Sequence, residues 1–449
     1  MRELHDFTQG KILSPLLKFA VPVMLAMFLQ SMYGAVDLLI VGQFAHTTDV
    51  SAVATGSMLT QCVTLTISSL SMGVTILLGQ YIGQKKLDET GDVVGSGIVL
   101  FTALAVAATV VFVALTEPMA RLLQAPEEAF GQTVAYMRIC FGGLVFIVAF
   151  NMLGSIFRGI GDSNMPLITV AIACVVNIFG DLLLVAVFDM GAAGAAWATV
   201  AAQAVSVVLS LVIIRRRKLP FNFSRSSVRW NGQYVRSILR LGIPMSAQDL
   251  LISVSFLVIM AIINNLGLNQ SAGVGVAEKV CAFLMLIPSA YMQSLSAFVA
   301  QNFGAGKMER ARRAMLCGMG ISMVTAVIMW YLAFFQGSLL SSIFSNDPAV
   351  IAMAADYLRA YGLDCLLVSV FFCFTGYFSG IGKTTFVMIQ GIIGAFFVRI
   401  PVSFIMSRIP NVSLFMVGLA TPSSSFVQLL LCLGYYIYLR RREKRLGEI

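Results

Sequence analysis

Two aspartates stand inside long apolar stretches of the sequence, where an ionised carboxylate is costly. Asp37 lies within YGAVDLLIVGQF (33–44), and Asp181 follows NIFG in a second apolar stretch. An ionised aspartate at membrane depth costs ~2.5–3.5 kcal/mol even on a lenient insertion scale, so each needs a proton, a cation or a basic partner. Arg138 and Arg158, the nearest bases in this half, fall close to predicted span boundaries. We therefore expect Asp37 and Asp181 to bind and release H⁺ or Na⁺.

The elements that position these acids are membrane-spanning helices. Of 449 residues, 58% are hydrophobic and 11% charged, far from the ~25% charged residues of an ordinary soluble domain. Apolar runs of about 20 residues, long enough to cross a ~30 Å hydrocarbon layer, recur along the whole chain. Backbone amides find no partner in hydrocarbon, so the runs predict helices. We predict twelve spans: 17–42, 50–82, 94–116, 130–156, 165–188, 192–214, 238–264, 271–302, 314–335, 350–378, 386–408 and 414–438.

Basic residues mark alternate loops. The net charge of +9 could suggest nucleic acid, but the bases follow the loops, and by the positive-inside rule those loops and both termini are cytoplasmic. We expect no nucleic-acid partner. The residues are Arg2, Lys11, Lys18, Lys85, Lys86, Arg158, Arg215, Arg216, Arg217, Lys218, Arg225, Arg229, Arg236, Arg240, Lys307, Arg310, Arg312, Arg313, Lys383, Arg440, Arg441, Arg442, Lys444 and Arg445.

Cysteine and histidine give no sign of a metal centre. All eight cysteines fall within predicted spans and none forms a CxxC pair, so we interpret them as small packing residues. His5 and His46 are the only histidines, and both are predicted at surfaces. We expect no cofactor and no metal other than a possible Na⁺.

The two halves of the sequence repeat at a shift of 221 residues. Residues 135–162 align without a gap over 356–383, including a shared Gly-Ile-Gly triplet, and LLGQYIGQKK (77–86) aligns with FVAQNFGAGK (298–307). We predict two pseudo-symmetric six-helix lobes, 1–214 and 238–449, joined by a loosely packed cytoplasmic linker, 215–237. An even number of spans per lobe makes the repeats parallel, with the pseudo-two-fold axis along the membrane normal.

Helix depth brings a polar group together in the outer half of the first lobe. At 1.5 Å per residue, Asp37 lies ~28 Å along its span and Asp181 ~22 Å along its own, with Asn177 one turn below. Thr199 enters from outside and lies ~12 Å down. We expect Asn177 and Thr199 to hold the coupling ion together with the two aspartates. Tyr136 stands at the outer start of the fourth span and can complete the group from above.

Other polar residues are expected to support this group. Asn151, near the midplane, and Thr199 have a competing structural interpretation, because amides and hydroxyls in membrane helices usually bridge helices by hydrogen bonds. Gln30, Tyr33 and Gln203 lie near the acids in the first and sixth spans.

The second lobe pairs its acids with bases. Asp249, Glu278 and Asp364 share the spans with Arg399, so we expect a charge network in which Arg399 pairs with Asp364 or Glu278. That leaves the first lobe as the one with unbalanced negative charge.

The sequence resembles the multidrug and toxic compound extrusion (MATE) transporters over nearly its whole length. The resemblance is carried by Pro22 followed by VDLLIVG, by FRGIGDSNMPL, NIFGD and GAAGAAWAT, and by the two-lobe plan. It is nearest the DinF-type branch, with an acid in the first span and an Asn-x-x-x-Asp pair in the fifth. The NorM-type branch uses second-lobe acids at positions that Asp249 and Asp364 do not match cleanly.

The resemblance implies a monomeric antiporter of the inner cell membrane, multi-pass and surrounded by lipid, that exports lipophilic, often cationic, small molecules in exchange for H⁺ or Na⁺. Pro22, which lacks an amide hydrogen, is either a hinge or a fixed kink. A flippase for lipids or lipid-linked oligosaccharides is the alternative, although it would need a cationic groove. We expect no enzymatic activity, because the chain has neither an Asp-rich metal box nor a buried histidine.

Overall fold

The computed structural model describes residues 7–216 and 219–446, and within them every regular element is a helix. Arg2, His5, Arg217 and Lys218 lie outside the described residues. The α-helices are α1 (Leu13–Phe44), α2 (Thr47–Gly83), α3 (Leu87–Ala114), α4 (Thr116–Leu122), α5 (Phe130–Gly142), α6 (Leu144–Gly159), α7 (Asn164–Asp181), α8 (Gly191–Arg216), α9 (Gly232–Asn264), α10 (Leu268–Leu284), α11 (Leu286–Gly304), α12 (Met308–Phe335), α13 (Gly337–Ser342), α14 (Pro348–Gly380), α15 (Thr384–Ile392), α16 (Ile400–Ser407), α17 (Leu414–Gly418) and α18 (Ala420–Leu446).

The predicted set of membrane spans is confirmed. Eleven helical segments of the described chain are long and apolar enough to cross a membrane. A twelfth span arises when α5 and α6, bent by 47° at their junction, are taken together. Two spans contain a π-helical stretch, Leu182–Val187 directly after α7 and Ile393–Arg399 between α15 and α16. Which terminus faces the cytoplasm stays a prediction.

The bend between α5 and α6 has a local cause. Gly142 and Gly143 stand side by side at the break, where two residues without side chains weaken the helix. The Phe146 amide donates to the Gly143 carbonyl at 2.9 Å, a bond over three residues that tightens the turn as α6 begins. The span therefore changes direction without breaking.

The chain forms two compact units. Unit 1 comprises the described residues of Met1–Gly10, Leu17–Ser246 and Ala300–Gly306, and unit 2 comprises Lys11–Leu16, Ala247–Val299 and Lys307–Ile449 as far as these are described. The core of unit 1 includes Val74, Ile76 and Ile147, while that of unit 2 includes Val274, Leu358 and Cys365. The predicted lobe limits of 1–214 and 238–449 stay a prediction.

The described part of the linker is mostly exposed, as expected, but it contacts α3 at several points. Phe221 is buried, and Asn222 donates to Asp88 at 2.8 Å. Arg229 pairs with Asp92 at 3.0 Å. The linker approaches α3 this closely because Gly95 has no side chain, and a Cβ there would collide with the linker backbone. The segment is therefore held on α3 by polar contacts as well as by burial.

The sequence repeat is visible in the backbone. Gly161 and Gly382, 221 residues apart, both adopt left-handed φ, at 85° and 77°. Within unit 1, a Cβ on Gly83 would collide with the carbonyl of Gln301, and a Cβ on its repeat partner Gly304 would collide with the carbonyl of Gln80. Each repeat thus makes the same contact with the other, as a two-fold relation requires.

Candidate functional site

The two aspartates predicted from their apolar surroundings are buried in unit 1. Asp37 on α1 is 4% exposed, and Asp181 at the end of α7 is fully buried. Asn177 lies one turn before Asp181 on the same face, as the spacing of four residues requires. Thr199 comes from α8 and is partly buried. Three helices thus deliver the four residues predicted to hold the ion.

Hydrogen bonds connect the four side chains. The Thr199 hydroxyl donates to Asp37 Oδ2 at 3.0 Å, and the Asn177 amide nitrogen donates to the Thr199 oxygen at 3.5 Å. The carboxyl groups of Asp37 and Asp181 are neighbours in this group. The structure therefore brings the four side chains together, and their role in binding an ion stays a prediction.

The group holds more acceptors than donors. Among the described residues, no donor reaches Asp37 Oδ1, Asn177 Oδ1 or either oxygen of Asp181. Within 7–216 and 219–446, no Lys or Arg nitrogen lies within 4.0 Å of either carboxylate. Two neighbouring carboxylates in a buried site cannot both stay ionised without compensation. A proton on either acid would supply the missing donor, and four unpartnered oxygens equally suit a hard cation.

Two tyrosines border the acids. Tyr136 on α5 is 3% exposed, and its ring occupies the space left by the absent side chain of Gly56 on α2. The Tyr136 hydroxyl lies close enough to both carboxylates for an electrostatic interaction. Tyr33, one turn before Asp37, donates its hydroxyl to the Val170 carbonyl at 3.0 Å. Tyr33 therefore braces α1 against α7 rather than binding an acid.

The remaining predicted polar residues are placed differently. Asn151 is buried, but its amide donates to the Ile147 carbonyl of its own helix at 2.9 Å. This bond favours the structural interpretation of Asn151. Gln203 is buried with no donor to its side-chain oxygen, while Gln30 is half-buried. Of the three, only Gln203 leaves a buried acceptor open.

Pro22 lies buried inside α1, which continues through it without interruption. Its ring removes one hydrogen bond from the helix about four turns before Asp37. Pro244 stands in the same way inside α9, so the feature belongs to both repeats. The hinge role of Pro22 stays a prediction.

A third buried acid of unit 1, Asp49 in the first turn of α2, was not among the predicted residues. It is 8% exposed, and its Oδ1 accepts the Ala192 amide at 2.9 Å, which satisfies a donor at the start of α8. Gly191, at φ 53°, lets the chain approach this closely. An acid directly before the predicted span 50–82 was the available signal. Asp49 fixes the start of the helix that carries Thr199.

The second-lobe charge network differs from the prediction. Asp364 is 1% exposed and Arg399 is 7% exposed, but the expected ion pair of Arg399 with Asp364 or Glu278 is not formed within 4.0 Å among the described residues. Arg399 instead lies over the Phe256 ring, 4.6 Å from its centroid, and donates to Ser255 at 3.4 Å. An aromatic face can hold a guanidinium without a carboxylate.

The other two acids of that network are less enclosed. Glu278 is half-buried, and its Oε1 has no hydrogen-bond partner in the described part of the chain, whereas Asp249 is exposed. Asp364 keeps one oxygen, Oδ1, without a donor. The four residues therefore do not form one contiguous network of ion pairs.

Comparison with known proteins gives matches over most of the chain. A model of the MatE family matches twice, over residues 22–183 and 244–405. The chain is 28% identical over 398 residues to the probable multidrug resistance protein YpnP of Bacillus subtilis (strain 168), covering 88% of this chain and 89% of the relative. It is 27% identical over 417 residues to the multidrug export protein MepA of Staphylococcus saprophyticus, covering 90% and 89%.

A solved structure shares the fold. The crystal structure of MATE in complex with MaL6 superposes with a TM-score of 0.91 at 18% identity, and the match covers all of both chains. The second match of the family model begins and ends 222 residues after the first, which agrees with the internal repeat.

Proposed function

The chain belongs to the MatE family, a family of membrane transporters and not of enzymes, and from this premise we propose that it is a cation-coupled multidrug antiporter. Its substrates would be lipophilic, often cationic, small molecules exported across the inner cell membrane in exchange for H⁺ or Na⁺. The names of its relatives, a probable multidrug resistance protein and a multidrug export protein, support this substrate class.

One observation carries the proposal: Asp37 and Asp181 face each other in a buried site without a basic partner among the described residues. A permanent ion pair would keep these acids from binding a coupling ion, whereas unpaired buried acids need a proton or a cation. A proton or Na⁺ taken up from outside neutralises them, and its release inside restores the charge. The ion thereby favours one state of the transporter over the other.

Substrate and ion would compete for the same negative charge. A cationic amphiphile is attracted while Asp37 and Asp181 are ionised, and it loses that attraction once they are neutralised. Export follows if the ion stabilises the outward-open state and the substrate stabilises the inward-open state. The acid cluster offers no cationic groove for a pyrophosphate, so it does not favour a lipid-linked sugar as substrate. We propose a monomer without a resident cofactor.

Efflux of ethidium from cells or vesicles tests the proposal. The proton gradient and the Na⁺ gradient are collapsed separately in wild type and in Asp37→Asn. We expect wild-type efflux to stop when the gradient of the coupling ion, either H⁺ or Na⁺, is collapsed. Asp37→Asn should show no efflux whichever gradient is kept. Asp49→Asn is the matched control, because its acid already has an amide donor. Full efflux by a normally expressed Asp37→Asn protein would show that the acid pair does not couple transport.

A further inference from the structure

A groove opens on the side of unit 1 where α5 bends into α6 beside α8. We call it the bend groove; its volume is about 500 Å³, within the ~300–1,000 Å³ typical of small-molecule sites. Its lining includes Arg138, Ile139, Gly142, Phe146, Trp197 and Val200.

The groove owes its space to two adjacent glycines. A Cβ on Gly142 would meet nothing within 4 Å, so the absent side chain leaves the groove open. A Cβ on Gly143 would press against Val200 at 2.5 Å, so this glycine lets α8 approach the bend closely. The 47° bend between α5 and α6 falls at these two glycines, so the groove lies where the span changes direction.

The groove is polar at one end and apolar at the other. Arg138 lies ~12 Å from the start of α5, and Trp197 lies ~9 Å from the start of α8. In the predicted topology both helices begin on the outer side, so the two side chains lie at one level. Trp197 is 50% exposed, as expected of an indole at a membrane interface. Gly142 and Phe146 lie deeper and line the groove with apolar surface.

Arg138 forms the polar end of the groove, and Glu117, which does not line the groove, lies next to it as its ion-pair partner. Arg138 donates to Glu117 of α4 at 3.2 Å, and both side chains are more than half exposed. A guanidinium binds phosphate oxygens well, and a carboxylate attracts an ammonium group. The two charges therefore match a headgroup that contains a phosphate and a primary ammonium, with an acyl chain along the apolar end.

We propose that the bend groove binds one phosphatidylethanolamine molecule of the outer leaflet. Its phosphate lies at Arg138, its ammonium at Glu117 and an acyl chain along Gly142, Phe146 and Val200. The groove walls belong to α5 and α8, which carry Tyr136 and Thr199 one residue away from lining residues. A seated lipid therefore contacts the same two helices that border the acid pair.

Trp197 is a built-in probe for this lipid. Trp197 is the only tryptophan left when Trp230 and Trp330 are replaced by Phe. That protein is placed in phosphatidylcholine vesicles containing increasing fractions of phosphatidylethanolamine with brominated acyl chains, which quench indole fluorescence on contact. We expect quenching to saturate at a low fraction, with a two- to fivefold preference over brominated phosphatidylcholine, about the strength of an exposed ion pair.

Two kinds of variant separate a bound lipid from bulk contact. Gly142→Leu fills the groove and should return quenching to the bulk lipid fraction, whereas Gly320→Leu, on an open face of α12, should leave saturation unchanged. Glu117→Gln, which keeps the groove open, should remove the preference for ethanolamine. Quenching proportional to the bulk fraction in the parent protein would overturn the proposal. So would relief of quenching by ethidium, which would assign the groove to transported compounds.

Discussion

Replacing Asp37 by Asn should stabilise the protein while it abolishes coupled transport. The new side chain keeps an oxygen that accepts the Thr199 hydroxyl, now held at 3.0 Å. Its amide group replaces Oδ1, which has no donor, and can donate to Asp181, whose oxygens have none either. The substitution therefore removes an unpaired charge and supplies a missing donor at once.

The size of the effect follows from two terms. An ionised aspartate at membrane depth costs ~2.5–3.5 kcal/mol, and the Thr199 bond to a charged oxygen is stronger by ~1–1.5 kcal/mol than the bond that Asn would keep. The stability gain of Asp37→Asn should therefore be about 1–3 kcal/mol where Asp37 is ionised. The gain should shrink as the pH falls and Asp37 takes up its proton.

Thermal unfolding in detergent across a pH series measures this gain, and efflux in vesicles measures transport. Asp49→Asn is the comparison, because Asp49 already accepts the Ala192 amide at 2.9 Å. Losing its charge at the start of α8 should cost ~0.3–1 kcal/mol and leave transport coupled. If Asp37→Asn were less stable than Asp49→Asn, Asp37 would have a counter-ion that the structure lacks, and the reasoning would fail.

Three further changes test other contacts. Glu443→Gln should destabilise unit 2 by up to ~3–5 kcal/mol, because it breaks the ion pair with Arg312, whose side chain is 5% exposed. The Glu309 side chain is 62% exposed, so Glu309→Gln should cost under ~1 kcal/mol in the same unfolding assay. Gly83→Ala should lower the apparent unfolding temperature, because its Cβ would collide with a carbonyl oxygen. Gly42→Ala, which has open space around it, should increase the free energy of unfolding by up to ~1 kcal/mol. Thr199→Val, which removes the donor to Asp37, should slow efflux without altering expression.

The helices and the acid pair were predictable because the membrane imposes them. A span needs a fixed length of apolar residues and internal hydrogen bonds, so spans can be recognised in the sequence. The rise per residue then gives depth, and depth alone placed Asp37, Asp181 and Thr199 at one level. The exposure of Asp249 and the self-contained bond of Asn151 depend on helix rotation, which depth does not report.

What the sequence left open depends on tertiary contacts. Arg399 stacks on Phe256 because two helices bring the ring to the guanidinium, and no spacing rule predicts that encounter. Asp49 meets the start of α8 across 143 residues of chain. The linker was expected to pack loosely because of its polar composition, yet Gly95 lets the linker backbone contact α3 closely. In each case a partner distant in sequence decided the outcome.

The reciprocal contact of Gly83 with Gln301 and of Gly304 with Gln80 has an ancestral interpretation. When two positions exchange the same contact, the surface that they form is complementary to itself. A half-length polypeptide carrying one copy of this motif would meet an identical copy through that surface and associate as a symmetric pair. Fusing two such genes in tandem would then turn the contact between two polypeptides into a contact between two halves of one chain.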